Sequence, residues 1–325
     1  MKLIALIPAH NDDYALSLCL ASIVDHFDLI TVYDDWSTDA TWAVAADFAH
    51  RYKHVILFTR GPGQVGWIEA RNRLLVPVDD DALLFWLDSD DVLCEYNAHL
   101  LREIAEGEQP IVRLQLCEMW GDLNHTTQRL RHYDRCHVFV NRRLAGEMLW
   151  RGGAIATPCY GLDDEHGPDT PRVRSILPAR GPGPLFFHIK GVKPDRRLFE
   201  RRFTRRWLRR KSRLSDASDS SDRSDASDGS DYHCSEFTPE EIHRAALKQL
   251  THSKQDKLIP TYLSGALSGS APRRPAVIEE ELRKGQRFEM IYRDGLVVDR
   301  IDHGWTCPCP TRPGADQTGA IQHMA

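Results

Sequence analysis

The stretch Leu83-Leu84-Phe85-Trp86-Leu87-Asp88-Ser89-Asp90-Asp91 decides the fold of this chain. Its five apolar residues have the length of a buried β-strand and are too few for a free-standing amphipathic helix. Three carboxylates follow within four positions, where that strand would end. Ligands of open α/β sheets bind at the carboxyl ends of the strands, and clustered carboxylates there favour a hard cation such as Mg²⁺. Taken alone, the stretch has the alternative of a solvated acidic loop behind a core strand.

Strand and helix patterns alternate on the N-terminal side of this stretch. Continuous apolar runs predict buried parallel strands, and capping residues followed by helically spaced apolar residues predict helices between them. The predicted strands are 3–7, 29–33, 55–58 and 83–87, and the predicted helices run over about 14–24, 40–52 and 68–75. This order predicts an α/β fold with a doubly wound, mostly parallel sheet flanked by helices. Right-handed crossovers bring the acidic strand ends to one edge of that sheet.

Length, composition and charge bound the class of protein. With 325 residues and 42% hydrophobic content, the chain can form one large domain with an appendage or two modest domains. The net charge of −5 indicates no partner by itself. No window reaches the roughly 18 apolar residues of a membrane span, and the eight scattered cysteines do not suit a small secreted protein. We therefore expect a cytoplasmic protein with no transmembrane segment.

Four short motifs stand in order within the first hundred residues. They are Ile7-Pro8-Ala9-His10-Asn11-Asp12, Val32-Tyr33-Asp34-Asp35-Trp36-Ser37-Thr38-Asp39-Ala40-Thr41, Ala70-Arg71-Asn72 and Leu87-Asp88-Ser89-Asp90-Asp91-Val92. Together they resemble the family 2 glycosyltransferases of the GT-A (Rossmann-like) fold. The resemblance is firm to Asp91, thinner to Lys193 and absent beyond. Trp36 departs from the pattern, because the family usually has a small residue there, often glycine.

The resemblance implies roles for the matched residues. The implied contacts to a nucleotide-diphosphate sugar (a UDP- or GDP-sugar) are Pro8, Asn11, Asp34, Asp35, Arg71, Asp88 and Lys190, and the implied ligands of Mn²⁺ or Mg²⁺ are Asp90, Asp88 and His188. Asp34 and Asp35 would bind the base and ribose, and the metal would neutralise the leaving diphosphate. Ordinary helix-capping acids at Asp34 and Asp35, and a solvated helix face at Arg71, remain the alternatives.

The apolar run Leu185-Phe186-Phe187 ends in His188, and this resembles the late metal-binding histidine of many GT-A enzymes. His188 would complete the coordination that Asp90 begins, and Lys190 or Lys193 would meet phosphate. A purely structural histidine is the alternative, because a lone histidine is more often structural than a ligand.

An inverting transfer requires a carboxylate that accepts the proton of the attacking hydroxyl. The family often carries a His-Glu pair a few residues after a tryptophan, and residues 150–157 run through that region without one. We therefore expect the base within Asp163-Asp164-Glu165, at Asp164 first, with Glu147 as the second choice. The alternative is that this acidic triplet is a solvated loop.

The C-terminal part changes character twice. Residues 193–213 carry eleven basic and two acidic side chains with apolar residues at helical spacing. They predict a basic helix that either contacts an anionic surface, such as a membrane or nucleic acid, or closes the catalytic domain. Residues 214–235 repeat serine and aspartate and predict a disordered linker. Residues 236–325 predict a small extension, with a helix from Thr238 and a β-hairpin over 287–301, to which no role is assigned.

These patterns predict a glycosyltransferase domain over residues 1–213, with a nucleotide-sugar half (1–92), an acceptor half (93–192) and the basic helix. The activity expected is inverting, metal-dependent transfer to a hydroxyl on a glycan, lipid, protein or modified nucleic acid. A nucleotidyltransferase would need a glycine-rich basic loop after the first strand, which residues 8–13 lack. A non-catalytic GT-A-like binding module using the basic helix is the other alternative, and the retained Asp88 and Asp90 argue against it.

Overall fold

The computed structural model of the chain describes residues 2–58, 63–75, 81–107, 111–113, 115–127, 131–132, 138–145, 148–151, 157–160, 174–175, 185–189, 192–194, 238–251, 258–260, 274–293 and 296–307. The described strands are β1 (Lys2–Ala9), β2 (Leu29–Asp34), β3 (Val55–Phe58), β4 (Ala82–Trp86), β5 (Asp91–Leu93), β6 (Ile111–Arg113), β7 (Gln115–Glu118), β8 (His125–Thr127), β9 (Arg131–His132), β10 (Val138–Asn141), β11 (Met148–Arg151), β12 (Thr157–Tyr160), β13 (Arg174–Ser175), β14 (Phe186–His188), β15 (Leu258–Pro260), β16 (Phe288–Arg293) and β17 (Leu296–Asp302). The described helices are α1 (Asp13–Ile23), α2 (Thr41–Arg51), α3 (Trp67–Leu75), α4 (His99–Glu106), α5 (Arg142–Ala145), α6 (Pro239–Thr251) and α7 (Ala276–Lys284), with a 3₁₀ turn at Glu95–Asn97.

A seven-stranded sheet of order β13-β6-β10-β4-β1-β2-β3 forms the centre of the fold. Strands β4, β1, β2 and β3 run parallel to one another, while β10 runs antiparallel to β4 and β6. The helices α1 and α2 cover one face and α3 covers the other. This architecture confirms the predicted α/β class and the mostly parallel sheet flanked by helices.

The continuous apolar run of β1 reflects burial on both faces of this sheet. Successive side chains of a strand point to opposite faces. Leu3, Ala5 and Ile7 join the core beneath α1 and α2, whereas Ile4 and Leu6 join the core beneath α3. Both faces are covered, so an alternating polar pattern would have placed polar groups in one of the two cores.

The sequence of residues 111–116 predicts a single strand, and this prediction is wrong because the structure divides these residues between β6 and β7. β6 pairs with β10 in the central sheet, and β7 pairs with β14 in a second sheet of order β5-β14-β7-β9. The chain therefore passes from one sheet to the other within this run, although Val112 of β6 and Leu116 of β7 lie in the same buried cluster.

The C-terminal extension packs against the second sheet. Ile278 of α7 and Phe288 of β16 lie in one buried cluster with Tyr14 of α1 and Phe187 of β14. The Tyr14 and Phe288 rings meet edge to face with centroids 5.8 Å apart. The predicted helix and hairpin are both present as α6 and the β16–β17 pair. The described part of the extension thus shares a core with the predicted transferase domain.

None of the helices in the described ranges is both long and apolar enough to cross a membrane. The predicted linker, and all of the predicted basic helix after residue 194, lie outside the described residues.

Candidate functional site

The carboxyl ends of β1 and β4 form the floor of the candidate site. The two strands are parallel neighbours, with Lys2 opposite Ala82 and Leu6 opposite Trp86. Their ends therefore lie side by side, and so do the polar residues that follow each strand. Asp12 precedes α1, and Asp90 comes four residues after the end of β4.

Strand pairing brings His188 to the acidic end of β4. β14 runs antiparallel to β5, with His188 opposite Asp91, and the Ile189 N–H donates to the Asp90 carbonyl at 2.8 Å. The His188 Nδ1 atom lies 2.8 Å from Asp91 Oδ1 and 3.4 Å from Asp90 Oδ1. All three side chains are buried. Their candidate ligand atoms lie within 4.8 Å of one another.

The donor set of this cluster fits a divalent cation. Carboxylate oxygens and an imidazole nitrogen suit Mn²⁺ well, and carboxylate oxygens also suit Mg²⁺. Asp91 has a second task, because its Oδ2 atom accepts the N–H of Asp88 at 2.9 Å. That bond fixes the turn between β4 and β5 and leaves Asp90 and His188 as the members best placed to bind an ion.

Asp88 forms an ion pair beside this cluster, and the roles that the resemblance implies for it, as a metal ligand and a ribose contact, stay predictions. Its Oδ1 atom accepts a hydrogen bond from the Arg71 guanidinium at 2.6 Å. The same guanidinium stacks over the rings of Trp67 and Trp150, at 5.1 and 4.7 Å from their centroids. The structure thus groups Asp90, Asp91 and His188 together, with Asp88 beside them and held by Arg71.

The predicted nucleotide contacts near β2 are held by backbone amides. Asp35 accepts the N–H groups of Val65 and Gly66 at 2.7 and 2.9 Å, and Asp34 accepts that of Ser37 at 3.3 Å. Both carboxylates are buried. In this structure they therefore organise the loops at the end of the sheet, and their contact with a base or ribose stays a prediction.

Asn11 joins the loops after β1 and β2. Its side-chain oxygen accepts the Thr38 N–H at 2.7 Å, and its own N–H donates to Ser37 Oγ at 2.8 Å. Pro8 is buried within β1, opposite Tyr33.

Trp36 has a φ of 61°, in the left-handed region that favours glycine. That explains why a glycine is common at this position of the family pattern.

The acid cluster creates a negative field in its surroundings. The Cys19 thiol of α1 lies beneath it, with Sγ 3.9 Å from the carbonyl oxygen of Asp88. Burial raises the pKa of Cys19 well above its ordinary value, and the charges of Asp91, Asp90 and Asp88 raise it further. The thiolate is the reactive form of cysteine, so we assign Cys19 to packing and not to nucleophilic chemistry.

Asp12, to which the sequence motifs gave no role, lies inside the site. Asp12 Oδ1 accepts a hydrogen bond from Lys193 Nζ at 2.7 Å, and Oδ2 accepts one from Ser89 at 2.7 Å. The Lys193 ammonium also lies 3.0 Å from Asp90 Oδ2. Asp12 and Lys193 are 181 positions apart, so local spacing carried no signal of their pairing.

Four predicted residues with catalytic or phosphate-binding roles lie outside the described residues. They are Asp163, Asp164 and Glu165, the expected base cluster, and Lys190, the expected phosphate contact. Glu147, the second choice for the base, also lies outside them. Their roles stay predictions.

A family comparison identifies the N-terminal part of the chain. Residues 4–143 match the model of the family described as Glycosyl transferase family 2. These residues form a family 2 glycosyltransferase domain. The match contains Asp12, Asp88, Asp90 and Asp91 and ends before His188. The parallel sheet of this glycosyltransferase domain, with helices on both faces and acids at the strand ends, agrees with the GT-A fold that the sequence predicted.

Other comparisons add weak likenesses. No curated protein matches the sequence. Among solved structures, the chain is similar to S. aureus TarS, with 20% identity over 37% of this chain and 22% of that chain and a TM-score of 0.32. It is similar to the mannosyltransferase PcManGT from Pyrobaculum calidifontis in complex with GDP-Man and Mn²⁺, with 18% identity over 35% of each chain and a TM-score of 0.31. It is also similar to S. aureus TarS 1-349 in complex with UDP-GlcNAc, with 12% identity over 94% of this chain and 98% of that chain and a TM-score of 0.42. The chain thus spans about a fifth and about a third of the first two, and TM-scores below 0.5 support no conclusion about activity.

Proposed function

We propose that the chain is an inverting, metal-dependent glycosyltransferase that moves a sugar from a nucleotide-diphosphate donor to a hydroxyl acceptor. The observation that carries the proposal is the buried group of Asp90, Asp91 and His188 at the carboxyl edge of a family 2 glycosyltransferase domain. Three ionisable side chains are costly to bury together unless they pair with one another or bind a ligand. Their place at the strand ends is where ligands of such sheets bind.

Asp90 and His188 would hold Mn²⁺ or Mg²⁺. When bound, such an ion supplies positive charge that neutralises the diphosphate as it leaves. Asp91 orients His188 through its 2.8 Å contact and fixes the turn through its bond to the Asp88 N–H. Arg71 keeps the Asp88 carboxylate in place at the site rim, where Asp88 is proposed to contact the donor ribose.

The transfer forms one bond and breaks another at the anomeric carbon. The acceptor oxygen bonds to that carbon while the bond to the diphosphate oxygen breaks, and a carboxylate takes the hydroxyl proton. We assign this role to Asp164 within Asp163-Asp164-Glu165, with Glu147 as the second choice. The acceptor is proposed only as a hydroxyl on a glycan, lipid, protein or modified nucleic acid.

The proposed catalytic unit extends through the acceptor half to residue 213. Its basic residues 193–213 would contact an anionic acceptor or surface, which makes the cytoplasmic face of a membrane a candidate location. Residues 214–235 would be a linker, and the extension 236–325 would support the second sheet, because Phe288 and Ile278 complete its core.

The proposal is tested by screening UDP- and GDP-sugars with the full chain, with and without Mn²⁺. We expect at least one donor to raise the melting temperature in an ion-dependent way and to be hydrolysed slowly to the nucleoside diphosphate. Binding of a donor with no hydrolysis and no transfer to any acceptor would favour the non-catalytic binding module. Release of pyrophosphate from a nucleoside triphosphate would favour the nucleotidyltransferase. The family match and the buried acid cluster support neither alternative.

A further inference from the structure

A single ammonium group joins two buried carboxylates at the candidate metal site. Lys193 Nζ lies 2.7 Å from Asp12 Oδ1 and 3.0 Å from Asp90 Oδ2. Lys193 is 4% exposed, and Asp12 and Asp90 are 5% and 2% exposed. The Val192 N–H, next to Lys193, donates to the carbonyl of Ile189 just after β14 at 2.9 Å.

The charges of this cluster explain why a lysine can be buried there. Buried carboxylates must be paired with a cation, since an isolated buried charge is costly. Arg71 forms an ion pair with Asp88, and His188 lies closer to Asp91 than to Asp90. Lys193 lies within ion-pair distance of both remaining carboxylates, Asp12 and Asp90.

We propose that Lys193 is a resident counter-cation that competes with the divalent ion for Asp90. This inference rests on the proposed function, because that function gives Asp90 its metal. An ion on the Asp90 carboxylate would lie beside an ammonium that already contacts the same carboxylate, and like charges in a buried site repel strongly. Metal binding therefore requires the ammonium to withdraw from Asp90. A donor diphosphate offers the withdrawn ammonium a new anionic partner, so ion and donor binding become coupled.

The first test measures Mn²⁺ binding to the full chain without donor, by the loss of the free-ion signal in electron paramagnetic resonance. Lys193→Met, which removes the charge and keeps most of the side-chain length, is expected to bind Mn²⁺ about tenfold more tightly than the wild type. Lys193→Arg keeps the charge and should stay near the wild type. Lys284→Met is the matched control, because Lys284 is exposed and pairs with Glu280 on the surface.

The second test uses the wild-type chain and so does not depend on the folding of a variant. Lysine acylation read by mass spectrometry should label the buried Lys193 slowly in the absence of metal and faster when Mn²⁺ is added. Labelling of the exposed Lys284 should not change. Equal Mn²⁺ affinity in the wild type and Lys193→Met, or Mn²⁺ binding with unchanged Lys193 labelling, would overturn the competition while leaving the proposed function intact. Absence of Mn²⁺ binding in every variant would overturn both.

Discussion

Gly121, in the loop after β7, lies directly against Met290 of the C-terminal hairpin, so that a Cβ atom at Gly121 would collide with the Met290 sulfur. Two hydrogen bonds flank this contact. Met290 N–H donates to Asp122 Oδ2 at 3.0 Å, and Arg300 Nε donates to the Gly121 carbonyl at 3.0 Å. The hairpin therefore rests on the loop after β7, next to the strand that pairs with β14 and its histidine.

Gly121→Ala should destabilise the protein more than Gly285→Ala, because the two glycines have similar φ angles but different neighbours. Gly121 has a φ of 83° and Gly285 a φ of 85°, but a Cβ at Gly285 would meet nothing within 4 Å. Both substitutions cost about 1 kcal/mol through the left-handed backbone, and Gly121→Ala should cost about 1–3 kcal/mol more through overpacking. Urea unfolding of the two variants measures the difference. Equal losses of unfolding free energy would show that the hairpin can shift at Met290 without an energetic cost.

Phe288→Ala should lower the free energy of unfolding by about 3–5 kcal/mol, because Phe288 is completely buried against Tyr14. Ile301→Ala on the paired strand is the control, since Ile301 is 40% exposed and its loss should cost less than about 1 kcal/mol.

Because Ile278 and Phe288 share a core with Tyr14 and Phe187, we expect a chain ending at residue 213 to be less stable than the full chain. A cooperative, equally stable truncated chain would contradict the shared core.

Trp36→Gly should be more stable than Trp36→Ala by about 1 kcal/mol. Both variants remove the indole, and only glycine adopts a φ of 61° without strain. Thermal unfolding of the pair isolates the backbone contribution from the loss of aromatic contacts. If the alanine variant were equally stable, the loop after β2 would not hold the left-handed conformation.

The sequence predicted the first four strands of the fold well for a local reason. Strands β1, β2 and β4 are buried on both faces, so each is a largely apolar run that can be identified without knowledge of its partners. The division of residues 111–116 between two sheets depends on partners at β10 and β14, which no local pattern shows. The contact of Gly121 with Met290 likewise joins residues that are far apart in sequence.

The candidate site divides in the same way. The place of Asp90 in the cluster was predictable because Asp90 follows a strand. The place of His188 was predictable because His188 ends an apolar run that resembles a family feature. Asp12 and Lys193 were not predicted as a pair, since only the folded chain brings them together. Asp88 forms an ion pair with Arg71, whose guanidinium lies over two tryptophan rings, and its role as a metal ligand stays a prediction.

Asp164→Asn should keep the donor affinity and lower turnover by roughly 10²–10⁴-fold, as expected when a general base is lost. The neutral amide cannot accept the proton of the attacking hydroxyl, whereas the residues proposed to bind the donor and the metal are unchanged. Single-turnover transfer by Asp164→Asn and Glu147→Gln, measured side by side, distinguishes the two candidates. A slow Glu147→Gln with a normal Asp164→Asn would move the base to Glu147.

Turnover of Asp90→Asn with Mn²⁺ tests the central claim most directly. Asparagine keeps the shape of the side chain and removes the charge that would bind the ion. Asp47→Asn is the control, because Asp47 pairs with Arg51 on the surface of α2. We predict that Asp90→Asn stays folded by circular dichroism and that its donor hydrolysis and transfer fall about 100-fold or more, while Asp47→Asn matches the wild type. A folded Asp90→Asn that turns over the donor at the wild-type rate would contradict the account.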